Sequence, residues 1–267
     1  MTRPLITLTT DFGLEDPFVG VMKGIILGIA PEVQIVDITH SIPSHDVFRA
    51  SLTLRASHRF FPEGTVHVVV VDPGVGSWRR PILIVTKRYF FVGPDNGVLS
   101  MACELEDQAQ VFHLTSRQHF LQPVSNTFHG RDIFSPVAAW LSRGVAPDIL
   151  GERVDTLVKL DFPHVRRSGN TLIARVLHAD KFGNLVTNIS ADDVPRPEGD
   201  SPPFLIQIGD REISQLRSSY AEALPGELFS IWGSSGLLEI SMNQASAAEA
   251  LRIDKNQEFR VVLRSTS

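Results

Sequence analysis

The stretch from Gly64 to Arg80, GTVHVVVVDPGVGSWRR, decides how the rest of the chain is read. Val66 to Val71 is β-branched except at His67. A run of this kind bounded by turn residues predicts a strand buried on both faces of a parallel sheet. The run ends at Asp72-Pro73-Gly74-Val75-Gly76, where the proline cannot donate to a ladder and the glycines permit backbone angles that other residues avoid. An ionisable carboxylate therefore stands at the carboxyl end of a core strand, with Arg79 and Arg80 close behind. Open α/β sheets bind their ligands at that end. One Asp-Pro-Gly is as readily a capped strand and a polar turn, so its meaning depends on what converges with it.

Upstream, Leu5 to Thr9 predicts a strand, with Asp11-Phe12-Gly13 at its carboxyl end. Asp16-Pro17 predicts a helix start, with Asp16 as cap and proline at the first helical position, and Pro31 closes the helix. Val33 to Ile38 is the next strand, and Asp46 opens a helix that Phe61-Pro62-Glu63-Gly64 ends. Strand, helix, strand, helix, strand is the rhythm of a doubly wound, mostly parallel sheet. Downstream, Ile82 to Thr86 and Tyr89 to Val92 flank Lys87-Arg88 as a hairpin, and Ala109 to Leu114 is a further strand. Ser135-Pro136 starts a helix, or continues one that begins a turn earlier near Arg131, and Gly144 closes it.

From Val145 to Asn170 the pattern loosens, and a domain boundary is expected late in that stretch. Residues 1–166 then form an α/β domain and residues 167–267 a small all-β, barrel-like domain. The latter follows from successive hairpins: Leu172 to His178 with Leu185 to Ile189, Phe204 to Ile208 with Glu212-Ile213, and Leu228 to Trp232 with Leu237 to Ser241.

With 43% hydrophobic and 21% charged residues, the composition is that of an ordinary globular protein. A net charge of −5 and the lack of any Lys/Arg tract argue against nucleic acid or an anionic membrane as partner. The single cysteine, Cys103, excludes an intrachain disulfide framework and a multi-cysteine metal site. The first residues enter a strand pattern without the features of a signal peptide, and the longest apolar helix, Phe18 to Ala30, is too short to span a bilayer. A soluble, cytoplasmic protein is expected.

Neither G-x-G-x-x-G nor G-x-x-x-x-G-K-[ST] follows the first strand, and H-E-x-x-H and G-x-S-x-G are absent. What remains is acidic. Asp11, Asp37 and Asp72 each end a strand and could hold a divalent cation or sugar hydroxyls, although each alone is more commonly a turn former. His129 lies in Phe128-His129-Gly130-Arg131-Asp132, beside a glycine that lets a ligand approach, and Asp180-Lys181-Phe182-Gly183-Asn184 is a hairpin turn carrying a carboxylate, an aromatic ring and an amide.

Four segments taken in order, Thr9 to Gly13, Val70 to Gly76, Phe128 to Asp132 and Asp180 to Asn188, resemble the S-adenosylmethionine (SAM) hydroxide adenosyltransferases, or SAM hydrolases, relatives of fluorinase and chlorinase. The likeness runs from about residue 5 to about residue 262. It implies an N-terminal α/β domain, a C-terminal β-barrel, and a homotrimer with SAM between one subunit's first domain and its neighbour's second. It also implies attack of water on C5′ of SAM to give adenosine and L-methionine, with SAM as substrate and neither cofactor nor metal. Matched by motif, the catalytic set is Asp72, Arg79 and His129, with Arg79 taken over Arg80 from its spacing to Asp72. Asp11 holds the ribose, Asp180 pairs with the methionine ammonium, Asn184 faces the adenine with Phe182 packed nearby, and Ser234 and Ser235 touch the methionine end. The chain departs from the pattern at Gly233, where an asparagine is expected, at Ser235, where an aromatic or arginine is usual, and at Phe18, where a tyrosine is more usual.

Three other readings compete. A SAM-dependent halogenase would use a halide in place of water; in that branch of the family the positions matching Asp72 and His129 are not an acid and a histidine, and a carboxylate beside the halide would repel it. A metal-dependent nucleotidase would use Asp11, Asp37 and Asp72 as ligands and lose activity to a chelator. A non-catalytic adenosine- or SAM-binding module would bind without consuming.

Overall fold

Val66–Val70 is a strand in which every residue is buried. Val66, Val68 and Val70 join one apolar cluster, while Val69 and Val71 join another on the opposite face. Both faces are covered, which is why the run lacks polar alternation. The computed structural model describes residues 3–195, 202–253 and 255–264, and the chain divides into two units, Met1–Asp161 and Phe162–Ser267.

The first unit carries, in order, β1 (Leu5–Thr10), α1 (Phe18–Ile29), β2 (Gln34–Thr39), α2 (Val47–Ser57), β3 (Val66–Val70), β4 (Pro81–Val85), β5 (Phe90–Pro94), α3 (Ser100–Cys103), β6 (Gln110–Leu114), α4 (Ser135–Ser142), α5 (Pro147–Leu150) and β7 (Gly151–Val154). Asp46 caps α2 as expected, its carboxylate accepting from the Arg49 amide at 3.0 Å. At α1 the cap is Pro17 rather than Asp16, so that helix begins one residue late. The strand order is β2-β1-β3-β5-β4-β6-β7. β2, β1, β3 and β5 pair in parallel, whereas β5·β4, β4·β6 and β6·β7 are antiparallel. The sheet is therefore mixed, not mostly parallel. The tight β4–β5 turn reverses the chain, with the Thr86 amide donating to the Tyr89 carbonyl at 3.0 Å, and β4 then offers its free edge to β6. Residues of α1 and α4 pack on one face, and residues of α2 and α3 on the other.

The register of β1 on β3 pairs Ile6 with Val66 and Thr10 with Val70. Asp11 and Asp72 thus leave the sheet at the same carboxyl edge, next to each other in strand order.

The second unit holds β8 (Arg166–Ser168), β9 (Thr171–Ala179), β10 (Leu185–Ser190), β11 (Phe204–Ile208), β12 (Arg211–Ile213), β13 (Leu216–Arg217), β14 (Leu228–Trp232), β15 (Leu237–Met242), α6 (Ala247–Leu251) and β16 (Glu258–Leu263). Among the described residues all its strand pairings are antiparallel except β13·β14. The first half of β9 takes β8 and β16, and its second half takes β10. Handing over partners along one long strand curls the sheet. Among the described residues the path ends at β12 and β13, which do not pair with each other, so no pairing between these two strands closes the barrel-like sheet. Among the described residues, no helix is long and apolar enough to cross a membrane.

Candidate active site

The loop after β3 and the segment before α4 build one cavity of about 290 Å³, whose lining includes Asp11, Phe12, Phe18, Asp72, Phe128 and His129. Asp72 continues from the buried strand, and Arg79 lies on the same loop. The Arg79 Nε donates to both Asp72 oxygens, at 3.0 and 2.9 Å, and Nη2 donates to Oδ2. Both side chains are sequestered, 8% exposed for Arg79 and 5% for Asp72. The same Nη2 lies 2.6 Å from Nδ1 of His129. One guanidinium therefore joins the carboxylate to an imidazole fifty residues further along the chain. The Phe134 ring, 5.4 Å from Arg79 Cζ, backs the cation, and Nη1 is buried without a hydrogen-bond acceptor. Arg80 turns elsewhere, donating through Nε to Asp95 Oδ2 at 2.9 Å.

His129 directly precedes a π-helical turn, Gly130–Phe134, that runs into α4. The Ser135 hydroxyl donates to the Gly130 carbonyl at 2.7 Å, supporting this irregular turn. Fully buried Asp132 pairs with Arg131 and accepts from the Ser125 amide at 2.8 Å, closing the loop that presents the histidine. That loop also abuts the Asp72 loop. At Gly76, φ is +75° and an added Cβ would lie 2.3 Å from the Asn126 carbonyl oxygen. Only glycine fits there.

An arginine donates and cannot accept. In the Arg79–His129 contact Nδ1 is therefore the acceptor, and the ring proton sits on Nε2. Burial lowers the His129 pKa below its usual 6.5 and the Arg79 charge lowers it further, while Asp72, Asp132 and the Ser125 backbone pull the other way. The imidazole is thus neutral at pH 7 and, in this tautomer, is a hydrogen-bond donor.

The cavity's apolar wall is a triangle of rings, with centroids 5.7 Å apart for Phe12–Phe18, 5.8 Å for Phe12–Phe128 and 5.3 Å for Phe18–Phe128. Asp11 accepts from the His45 amide at 2.8 Å. Asp37 is engaged elsewhere, 2.6 Å from Lys23 and 3.1 Å from His40. Asp37 lies inside β2, not at its end as the sequence suggests, and the three carboxylates keep separate partners. Among the described residues no group of three or more His, Cys, Asp or Glu is placed to hold a metal ion.

A second cavity, of about 790 Å³, lies within the second unit and is lined by Asp180, Phe182, Asn184 and Ser234 but not by Ser235. Asp180 organises its own turn. Its Oδ1 accepts from the Phe182 and Asn184 amides at 2.8 and 2.9 Å, and its Oδ2 accepts from Asn184 Nδ2 at 2.9 Å. Phe182 is 76% exposed. The same cavity is lined by Tyr220, Trp232 and Glu239, which sequence reasoning passed over. Glu239 lies inside a strand among apolar neighbours, where only a buried acid in a hydrophobic run was available as a signal.

A mixed α/β unit with an acid–arginine–imidazole cluster at a strand's carboxyl edge, followed by a curled antiparallel unit with an acidic, aromatic cavity, defines a two-unit protein with a small-molecule-sized cavity in each part. The chain belongs to the SAM hydroxide adenosyltransferase family, matching its N-terminal domain over residues 6–151 and its C-terminal domain over residues 174–260. It is similar to a Thermus thermophilus protein named (R)-S-adenosyl-L-methionine hydrolase, with 36% identity over 97% of this chain and 100% of the relative. A Methanocaldococcus jannaschii protein of the same name is 35% identical over 97% of this chain and 95% of the relative. Among solved structures, one titled as an uncharacterized conserved protein from Thermotoga maritima superposes with a TM-score of 0.88 at 34% identity, covering 97% of this chain and 99% of that one.

Proposed function

We propose that the protein hydrolyses S-adenosyl-L-methionine to adenosine and L-methionine. Relatives of that name at 35–36% identity over nearly the whole chain support the activity. The observation that carries the mechanism is the convergence of Asp72, Arg79 and His129 at one cavity. A sulfonium is already a good leaving group, because departure neutralises its charge. The protein's task is to hold one water in line with the C5′–S bond. Such positioning is worth roughly 7–11 kcal/mol of barrier. Asp72, held by Arg79, accepts a hydrogen bond from the water, and His129 donates to its oxygen through Nε2–H. As the oxygen bonds to C5′, the C5′–S electron pair leaves with sulfur as neutral methionine, and the water's proton passes to Asp72. Asp11 receives the ribose hydroxyls, and the three phenyl rings exclude bulk water. Asp180 and Asn184 serve the amino-acid and adenine ends, with Phe182, Ser234 and Ser235 around them.

The reaction as proposed uses no metal or cofactor. The assembly proposed is a homotrimer in which one chain's first unit meets its neighbour's second, which accounts for substrate-binding residues divided between two units. A cytoplasmic setting agrees with the single, buried cysteine, Cys103. The deciding experiment incubates purified protein with SAM, with and without chelator, and with chloride or fluoride added. Adenosine and methionine in equal amounts, unaffected by chelator, are expected. A 5′-halogenated nucleoside, or SAM bound but unconsumed, overturns the reading. Mixing Asp72→Asn and Asp180→Asn subunits should restore part of the activity if sites are shared between chains.

A further inference from the structure

The sheet order places β5 between β3 and β4. The connection from β3 to β4, which carries Asp72 and Arg79, therefore has to cross the carboxyl end of β5. At that end stand Asp95 and Asn96, which follow β5 directly. Asn96 Nδ2 donates to the Val71 carbonyl at 2.9 Å, one residue before Asp72. The Asp95 amide donates to the Arg80 carbonyl at 2.9 Å, one residue after Arg79. Two adjacent residues thus hold both the entry and the exit of the loop.

Their side chains are fixed in turn. Arg80 reaches Asp95 Oδ2 through both Nε and Nη2, and Asp95 Oδ1 accepts from the Val158 amide at 2.8 Å. Arg80 also donates to the Thr156 hydroxyl at 3.1 Å and to its carbonyl at 2.9 Å. The Asp95 side chain is 2% exposed, so losing a donor would leave buried charge unpaired. Asn96 Oδ1 accepts from the Val98 amide at 3.1 Å, which orients the carboxamide with its NH2 toward Val71. Arg80, Asp95 and Asn96 do not line the cavity that holds Asp72 and His129. Any effect they have on the reaction has to pass through the loop.

We propose that Asn96 and the Arg80–Asp95 pair are positioning residues that clamp the two ends of the loop 72–79 and so keep Asp72 and Arg79 in register with His129. The link to turnover rests on the proposed SAM hydrolysis. The test compares wild type, Asn96→Ala, Arg80→Gln and Arg80→Lys, with Gly64→Ala as a control strained away from the loop. Single-turnover rate, Kd for SAM, melting temperature and the NMR titration of His129 in the ligand-free protein are measured. A displacement of about 1 Å costs on the order of 100-fold in rate. Turnover should therefore fall roughly 10- to 100-fold in Asn96→Ala and Arg80→Gln, with Kd changed little. Arg80→Lys, which keeps the charge and a donor, should recover part of the loss. The charged groups acting on His129 are Arg79, Asp72 and Asp132, with Arg79 the largest of them. Loosening the Arg79 contact should move the His129 titration up toward its usual value. Asn96→Ala removes no charge, so a shift in that variant reports position alone. Wild-type rate and wild-type His129 titration in both Asn96→Ala and Arg80→Gln, whatever their melting temperature, overturn the proposal. So does a slower rate with the His129 titration unmoved. If wild type binds SAM without consuming it, the hydrolase reading fails, while the His129 titration still decides whether the clamp positions the cluster.

Discussion

Arg79 and His129 share a hydrogen bond of 2.6 Å in which the guanidinium is the donor and Nδ1 the acceptor. Because Nε of the same guanidinium also holds both oxygens of Asp72, the carboxylate, the cation and the imidazole act as one unit. The histidine is thereby fixed as neutral, with its proton on the outer nitrogen.

Asp72→Asn and His129→Ala should each slow turnover by roughly two to four decades, the range for positioned acid–base groups, while SAM still binds. Single-turnover kinetics together with calorimetric binding separates the two effects. Normal turnover in both variants would remove these residues from the mechanism.

The acid limb of the kcat/KM profile should fall below pH 6.5. The His129 pKa is lowered by burial first and by Arg79 second, and protonation of Nδ1 would break the contact with Arg79. Replacing Arg79 with glutamine removes one of those causes. The limb of that slower variant should therefore move to higher pH, as a pH–rate profile will show.

His67 should make the fold acid-sensitive independently of activity. It is fully buried in β3, its Nδ1 is 2.8 Å from the Thr7 hydroxyl, and its ring stacks on Phe91 at 5.4 Å. Burial, with a smaller contribution from His58, pushes its pKa down to about 3. The unfolded chain binds a proton near pH 6.5 that the native state refuses, so stability is complete above that pH and declines as pH falls toward 3. The loss is about 2 kcal/mol by pH 5. Denaturant titrations across this range should show a flatter pH dependence for His67→Phe than for wild type.

Gly76→Ala should damage both stability and rate. Its φ of +75° alone costs about 1–2 kcal/mol with a side chain, and the added Cβ would strike the Asn126 carbonyl at 2.3 Å. Gly64→Ala is the control, since φ is +82° there and nothing lies within 4 Å. Thermal melts should rank Gly76→Ala below Gly64→Ala, and only Gly76→Ala should lower kcat.

Local patterns told most where one residue's environment was set by its immediate neighbours. The unbroken valines announced a strand covered on both faces, and Asp46 announced the start of α2. The antiparallel half of the first sheet was less legible, because pairing direction depends on which edge a hairpin offers. Four-residue β7 sits in a stretch of prolines and glycines that reads as irregular. The family resemblance points to Asp72 and an arginine, spacing favours Arg79 over Arg80, and in the structure Arg80 is committed to Asp95. Glu239 was not legible because its place at the cavity depends on the hydrogen atom at Gly233, six positions away in sequence and across a turn. Gly233 itself was noticed only as a departure from the family's pattern.

The Gly76–Asn126 approach also bears on engineering. Backbone meets backbone there, so the segment after β3 and the segment before the π-helical turn have no slack with which to accommodate a foreign partner. Chimeras that import one of them from a relative should fail, whereas an exchange of both together should carry the reaction with it as a single cassette.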